Sequence, residues 1–481
     1  MKILSSYHII RQTLSEKWNT LFGFLSRLWK SESKISILIL AGITFSLALV
    51  YFVSRVGSPF YHDSLYYWDL ANQFADERFS FTNFSDGLRG YFFPFLLFLL
   101  KKQAALLGID GQLLFQVYTA LFFTVLSIYI LPWSFRVFFR WRTHLWGRAL
   151  IAILLFFFWR GYFRYPLSDF PAFALFLVGV TLLLSSMEAR KFPFWIVVAG
   201  ACIGAAINTR PVFQIALIFI IPIVFIYFFK KGIAKGAAWF SVILLGFGLI
   251  VFPQFQINST HFNVKSPWVL ARVVGDENLF VKQLFWGLET QRYESSIGDN
   301  YPSIVVGYSD PFINNLQKTN LLREKTIARY IKIMKRFPLE IAISYFRHLF
   351  NGLDPYYATP YISNIFVNHV FLSTVNYLIW FLVLFKLVKI NLSQLKYANV
   401  FGLMGLLAPV ALAIPTAVEV RFFLPAYLLA YGVIAFGLDY ITILRSHLNN
   451  GWKVLRFILL GTFWILMCFT LSNTTMGHLV R

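Results

Sequence analysis

Cysteine is almost missing from this chain. Its 481 residues include two, Cys202 and Cys468, and both lie inside apolar runs. That supports neither a disulfide framework nor a thiolate metal site. Charge is scarce as well, at 13% Asp, Glu, Lys and Arg, against about 25% in an ordinary soluble domain. So little charge could not keep a chain of this size in water. A soluble enzyme, a disordered protein and a fibrous repeat are therefore excluded. There is no internal repeat and no low-complexity tract. No His-x-x-x-His or Asp-x-Asp motif occurs. Residues 1–35 lack the early apolar core of a cleavable signal peptide.

What is present is apolar and aromatic. Hydrophobic residues make up 58% and aromatics 19%, with 55 Phe, and the mean hydropathy is +0.64. The expected class is an all-α polytopic membrane protein. A run of about 20 apolar residues crosses the hydrocarbon core as a helix, because the bilayer offers no water to backbone groups. Eleven such runs are read, roughly 36–54, 112–135, 147–163, 168–186, 193–209, 211–229, 237–254, 366–386, 397–415, 422–444 and 455–472. The run 91–107 is broken by Lys101 and Lys102 and reads as an interfacial helix.

Basic residues outnumber acidic ones 43 to 21, a net charge of +22. Alternate connections carry the excess: Arg136, Arg140, Arg142 and Arg148, then Arg190 and Lys191, then Lys230, Lys231 and Lys235, then Lys386, Lys389 and Lys396, then Arg445, Lys453 and Arg456. With the basic 1–35 segment, which reads as a cytoplasmic amphipathic helix, these define the inner side. The basic balance is thus a topology signal and needs no nucleic-acid partner. The expected layout is spans one to seven in 36–254, with a first outer loop at 55–111. A second outer loop follows at 255–365, with amphipathic helices over 326–350. The last four spans fall in 366–481. With eleven spans the N-terminus is inside and the C-terminus outside.

The chemistry concentrates after the first span. Asp63, Tyr67 and Ala71 stand at i, i+4 and i+8, one face of a short helix. Asp63 reads either as a helix cap or as a membrane-edge acid that accepts a proton from a hydroxyl. Asp69, Asp76, Glu77 and Asp86 share this loop with Arg55, Arg78 and Arg89. Gly90, Tyr91 and Pro94 then open an apolar helix.

This order of motifs resembles the GT-C membrane glycosyltransferases. Within them it resembles the protein O-mannosyltransferase-like branch, with the lipid A aminoarabinose transferases and the lipopolysaccharide-core sugar transferases. Ser168-Asp169, Asn208-Thr-Arg210-Pro211 and Glu419-Val-Arg421-Phe-Phe-Leu-Pro425 agree with it. The family commonly has Asp-Glu where this chain has Asp63-Ser64, which leaves the second carboxylate's role open. The resemblance covers most of 36–445. It implies an inverting hexosyl- or pentosyltransferase that moves a sugar from a polyprenyl-phosphate donor to a hydroxyl of a glycan, lipid or protein acceptor. Mannosyltransferase-like chemistry on the cell envelope or its lipopolysaccharide falls within that class.

Phosphate is already a good leaving group, so the site needs a base, cations for the phosphate and a groove for the lipid. Asp63 and Asp169 are the catalytic candidates, with Asp169 alternatively a cap. Tyr67, Arg89, Arg164, Arg210, Glu419 and Arg421 are the substrate-binding candidates. Guanidinium suits phosphate through its paired donors, and each Arg could instead snorkel or pair with a carboxylate. No cofactor is required. A divalent cation at His62 and Asp63 is the open alternative, and no metal ligand set is assigned. The second loop, with Trp268, Trp286, Tyr293, Tyr301 and Tyr308, is expected to cover the cavity. A transporter or flippase of lipid-linked saccharide, or an oligosaccharide polymerase or ligase, are the alternative readings. The expected setting is a bacterial inner membrane with a periplasmic active site.

Overall fold

The computed structural model describes residues 33–75, 79–189, 193–229, 232–272, 278–298, 301, 303–322, 324–388, 395–438 and 451–480. Most of the amphipathic 1–35 segment, Asp76, Glu77, Arg78, Arg190, Lys191, Lys230, Lys231, Lys389 and Arg445 lie outside the described residues.

The chain is mostly helical. Helices α1 (Lys34–Val53), α2 (His62–Leu70) and α3 (Phe92–Leu107) come first. Helix α4 (Gly111–Val125) passes through a π turn into α5 (Leu131–Phe139). Then follow α6 (Leu145–Phe163), α7 (Asp169–Ala189), α8 (Pro193–Thr209), α9 (Leu217–Phe229) and α10 (Ile233–Phe262). The next segment holds α11 (Leu279–Glu289), β1 (Thr290–Ser296), β2 (Val305–Ser309), α12 (Ile313–Leu316), α13 (Ile327–Arg336), α14 (Pro338–Gly352) and β3 (Tyr361–Ile362). Helices α15 (Val370–Leu387), α16 (Tyr397–Ala413), α17 (Leu424–Gly432) and α18 (Gly451–Met476) complete the order.

Among the described residues, eight helical segments are long and apolar enough to cross a membrane. They are Lys34–Val53, Gly111–Phe139, Leu145–Phe163, Asp169–Ser186, Ile233–Phe262, Val370–Leu387, Val420–Gly437 and Gly451–Met476. The other three expected spans form shorter apolar helices, Pro193–Thr209, Pro211–Ile226 and Tyr397–Ala413. Pro211 restarts the chain as a 3-10 turn after α8, because its ring cannot continue the preceding helix.

Aromatic packing fills the centre of the bundle. Phe123 stands edge-on to Phe163 at 5.1 Å, and Trp159 edge-on to Tyr427 at 5.2 Å. The buried indole of Trp159 donates to the Tyr431 hydroxyl at 3.0 Å, as buried amphipathic rings require. Helices α8 and α10 approach closely at Gly246, where a Cβ would collide with the Val197 carbonyl. Close backbone approach at small residues is what holds helices together in lipid.

The all-α expectation needs one correction. A three-stranded sheet of order β2-β1-β3 sits in the segment between α10 and α15, with β1–β2 antiparallel and β1–β3 parallel. Its central strand reads Thr-Gln-Arg-Tyr-Glu-Ser-Ser and lacks the apolar alternation of a strand. It is buried because its charges are paired internally. Arg292 donates to Glu294 at 3.0 and 2.5 Å and to the Asp354 carbonyl at 2.5 Å, with its guanidinium over the Tyr356 ring. The chain end joins the same sheet: Ser309 donates to the His478 carbonyl and Val480 to the Gly307 carbonyl. The far end of α18 is therefore on the sheet's side of the bundle.

Candidate functional site

Three stretches far apart in sequence meet beside α2. Helix α2 starts at His62, after Tyr61. Its first turn is closed by Ser64, whose hydroxyl accepts from the Tyr61 N–H at 3.0 Å and donates to the Tyr61 carbonyl at 2.6 Å. Ser64 thus does the capping, and the Asp63 carboxylate is released from that role. One Asp63 oxygen accepts from Arg89 and the other from Arg421, both at 2.8 Å.

Arg89 is placed by Asp86, whose carboxylate accepts the Leu88 and Arg89 N–H groups at 2.8 and 2.5 Å. Its guanidinium lies 5.3 Å over the Tyr67 ring, and the Tyr67 hydroxyl donates to Ser168 at 3.0 Å. The next residue, Gly90, presses on the end of α8, where a Cβ would collide with the Asn208 carbonyl. Asn208 accepts from Phe92 N–H at 2.8 Å and donates to Gln254 at 2.9 Å. This buried amide chain ties α3, α8 and α10 together beside Arg89 and Arg210.

Asp169 is the first residue of α7 and is buried. It accepts a hydrogen bond from Arg210, and its second oxygen lies 3.8 Å from Arg421. Arg421 is the hub. Its Nε sits 2.8 Å from the buried Glu419, its Nη2 on Asp63 and its Nη1 toward Asp169. Three carboxylates and three guanidiniums therefore form one continuous cluster. Burial pushes the Asp63 carboxyl up, but Arg89 and Arg421 outweigh it and hold the group well below the usual carboxylate range.

The cluster forms the polar end of a cavity of about 760 Å³. Asp63, Tyr67, Arg89, Ser168, Asp169, Arg210 and Arg421 line that end. Phe213, Ile215, Ile218, Leu412, Leu424 and Pro425 line an apolar arm. Asn278, which caps α11, adds a polar group, as do Gln283 of α11 and Tyr293 and Ser295 of β1. Sequence reading missed these, apart from Tyr293 as a loop aromatic. The strand that carries Tyr293 and Ser295 gives no periodic signal. A second cavity, of about 530 Å³ and nearly all apolar, is lined by Phe93, Phe163 and Phe170 among others and has no charged lining residue.

One candidate stands apart from the others. Arg164 does not line the cavity. It ends α6 with its guanidinium 5.5 Å over the Tyr165 ring, and its carbonyl accepts from Gln116. The turn through Pro166 carries Asp169 to the cavity and leaves Arg164 outside it. The second loop, expected to cover the cavity, does contribute to its lining, through Val269, α11, β1 and Ile304, whereas α13 and α14 contribute no lining residue. His62 has a left-handed backbone (φ 43°), and its Nε2 lies 3.0 Å from the Ser296 carbonyl. Among the described residues no group of three or more His, Cys, Asp or Glu is placed to hold a metal ion.

No family model and no curated protein matches this chain. Among solved structures it is similar to the archaeal oligosaccharyltransferase AglB from Archaeoglobus fulgidus in complex with an inhibitory peptide and a dolichol-phosphate. That match has 13% identity and a TM-score of 0.45, over 92% of this chain and 56% of that one. An apo form of the Archaeoglobus fulgidus oligosaccharyltransferase matches at 13% identity and a TM-score of 0.43, with the same coverage. The chain spans about half the length of these structures. The functional reading rests on the cavity itself.

Proposed function

We propose that this chain is a membrane glycosyltransferase of the GT-C kind that moves a sugar from a polyprenyl-phosphate donor to an acceptor hydroxyl on the extracytoplasmic side. The observation that carries the reading is the cavity's two-part lining, a guanidinium cluster continuous with an apolar arm between helices. That lining suits an amphiphile with an anionic head and a hydrocarbon tail. In the reaction the acceptor oxygen attacks the anomeric carbon from the face opposite the phosphate. The carbon–oxygen bond to phosphate breaks, the lipid leaves as polyprenyl phosphate, and the hydroxyl proton passes to Asp63.

A carboxylate held by two guanidiniums is a weak base, and the proposed donor changes that. Its phosphate competes for Arg89 and Arg421, whose paired donors fit phosphate as well as carboxylate. As the phosphate draws them away, Asp63 loses its stabilising charges and becomes more basic where the hydroxyl arrives. The same cations meet the charge that grows on the leaving phosphate. Asp169 holds Arg210 in place, and Glu419 does the same for Arg421.

The test is turnover of a synthetic polyprenyl-phosphate sugar by purified protein, followed as release of polyprenyl phosphate. Asp63→Asn keeps the size and removes the basicity, so turnover should fall about 10²–10⁴-fold with donor binding retained. Transport of intact donor across proteoliposomes with no sugar released would overturn the enzyme reading in favour of a flippase.

A further inference from the structure

Helices α13 and α14 stand apart from the cavity lining. Both helices end beside the spans. His348 of α14 lies 2.6 Å from the Ile414 carbonyl, and the Tyr330 hydroxyl of α13 donates to the Pro415 carbonyl at 3.4 Å. Ile414 and Pro415 directly follow the apolar helix Tyr397–Ala413. Gly352, at the end of α14, packs on Phe423, at the start of the span Val420–Gly437. These contacts set the pair at the depth where membrane helices emerge.

The faces turned away from the protein differ between the two helices. Helix α14 buries Ile341, Ser344, His348 and Asn351. Its opposite face is apolar from end to end: Leu339 is 70% exposed, Phe346 57%, Ile343 42% and Leu349 37%. Four large apolar side chains on one face of a 15-residue helix would be costly in water. Helix α13 is graded around its axis at ~100° per residue. Buried Tyr330 and Ile333 give way to exposed Ile327, Ile331 and Met334, and then to Arg329, Lys332, Lys335 and Arg336. Among the described residues Lys332 and Lys335 have no carboxylate partner. Arg329 pairs with Glu324 at 3.2 Å.

We propose that α13 and α14 form an interfacial pad: α14 lies among the acyl chains of the leaflet on the cavity's side, and the basic edge of α13 rests on anionic lipid phosphates. An apolar face, a flanking basic face and a position level with the span ends are what an in-plane membrane helix needs. Charge decides between lipid and a soluble partner. Lys and Arg beside an apolar stripe suit a layer of phosphates over hydrocarbon, with their stems along the apolar surface and their heads in the headgroups.

The test uses the full chain with Cys202 and Cys468 replaced by Ala, carrying one nitroxide at Phe346→Cys, Ile343→Cys or the control Lys318→Cys. It is reconstituted into phosphatidylcholine bilayers with and without phosphatidylglycerol. Labels at 346 and 343 should collide readily with oxygen and poorly with a water-soluble nickel chelate, the reverse of 318. Equal nickel access at 346, 343 and 318 would overturn the pad and make this face a water-exposed docking surface for a soluble partner. In the second arm, Lys332→Gln, Lys335→Gln and Arg336→Gln are combined. Native mass spectrometry should then show fewer retained phosphatidylglycerol molecules than on the parent. Unchanged retention would overturn the headgroup contact.

Discussion

Arg421 touches three carboxylates, so its replacement alters more than one charge. In Arg421→Ala, Asp63 keeps Arg89 alone, and buried Glu419 loses the guanidinium beside it. Activity should fall by about 10²-fold or more, as for loss of a donor that meets transition-state charge. Arg421→Lys retains a cation but cannot span the three partners, so its loss should be smaller. Both should raise the KM for donor while the KM for acceptor stays near the parent value. Normal activity per folded molecule in Arg421→Ala would make the residue structural. Asp63 gives a pH test with a definite sign. The profile of kcat/KM reports the free protein and that of kcat the complex. In the free protein Arg89 and Arg421 hold the group low, so the acid limb of kcat/KM should fall below the ordinary Asp value of about 3.9. With phosphate drawing the guanidiniums away, the acid limb of kcat should lie higher. Coincident limbs would rule out that coupling.

Strand β1 matters as an element because it carries a buried ion pair and also braces the site. Tyr293 N–H donates to the Val418 carbonyl at 2.9 Å, so the strand holds the loop that ends in Glu419. Burial pushes the Glu294 carboxyl up, and Arg292 pulls it back. Breaking one partner of such a pair leaves an uncompensated charge. Arg292→Met should therefore cost about 3–5 kcal/mol, seen as a lower unfolding temperature in detergent. The double variant Arg292→Met with Glu294→Met should recover most of that loss, since the orphaned charge is gone. A single variant as stable as the parent would show that water reaches the pair.

At the scale of the whole molecule, the side on which the cavity opens decides which substrates reach it. The charges of the alternate connections give the expectation that it opens outside. An engineered cysteine at Lys235 should resist an impermeant thiol reagent in intact cells, and one at Lys318 should react. Both positions are exposed, so the contrast reports sidedness alone. Reversed labelling would put the cavity on the cytoplasmic side and remove a periplasmic donor from consideration.

The helical segments were legible because a bilayer demands about 20 apolar residues in a row, and that demand is local to a stretch of sequence. Ten of the eleven expected spans, the eleventh being the 422–444 stretch described only to residue 438, coincide with described helices over most of their length. Three of the resulting helices are shorter than a full span, where Pro211 and the turn after Ala413 break them. Asp63, Asp169, Arg210 and Arg421 could be picked as charges at the ends of apolar runs. That they share one cluster, and that Arg164 does not, depends on how α2, α7, α8 and the stretch before α17 converge, a contact between residues up to 358 positions apart. Ser64 shows the same division: by itself it reads as a departure from an acidic pair, and only the folded turn reveals the cap that frees Asp63. Sheet β2-β1-β3 was hidden for a related reason. Its central strand is buried by pairing charges with partners in other segments, so its own residues look like a loop. Local solubility is written along the chain, whereas the balance of buried charges exists only between segments that folding has brought together.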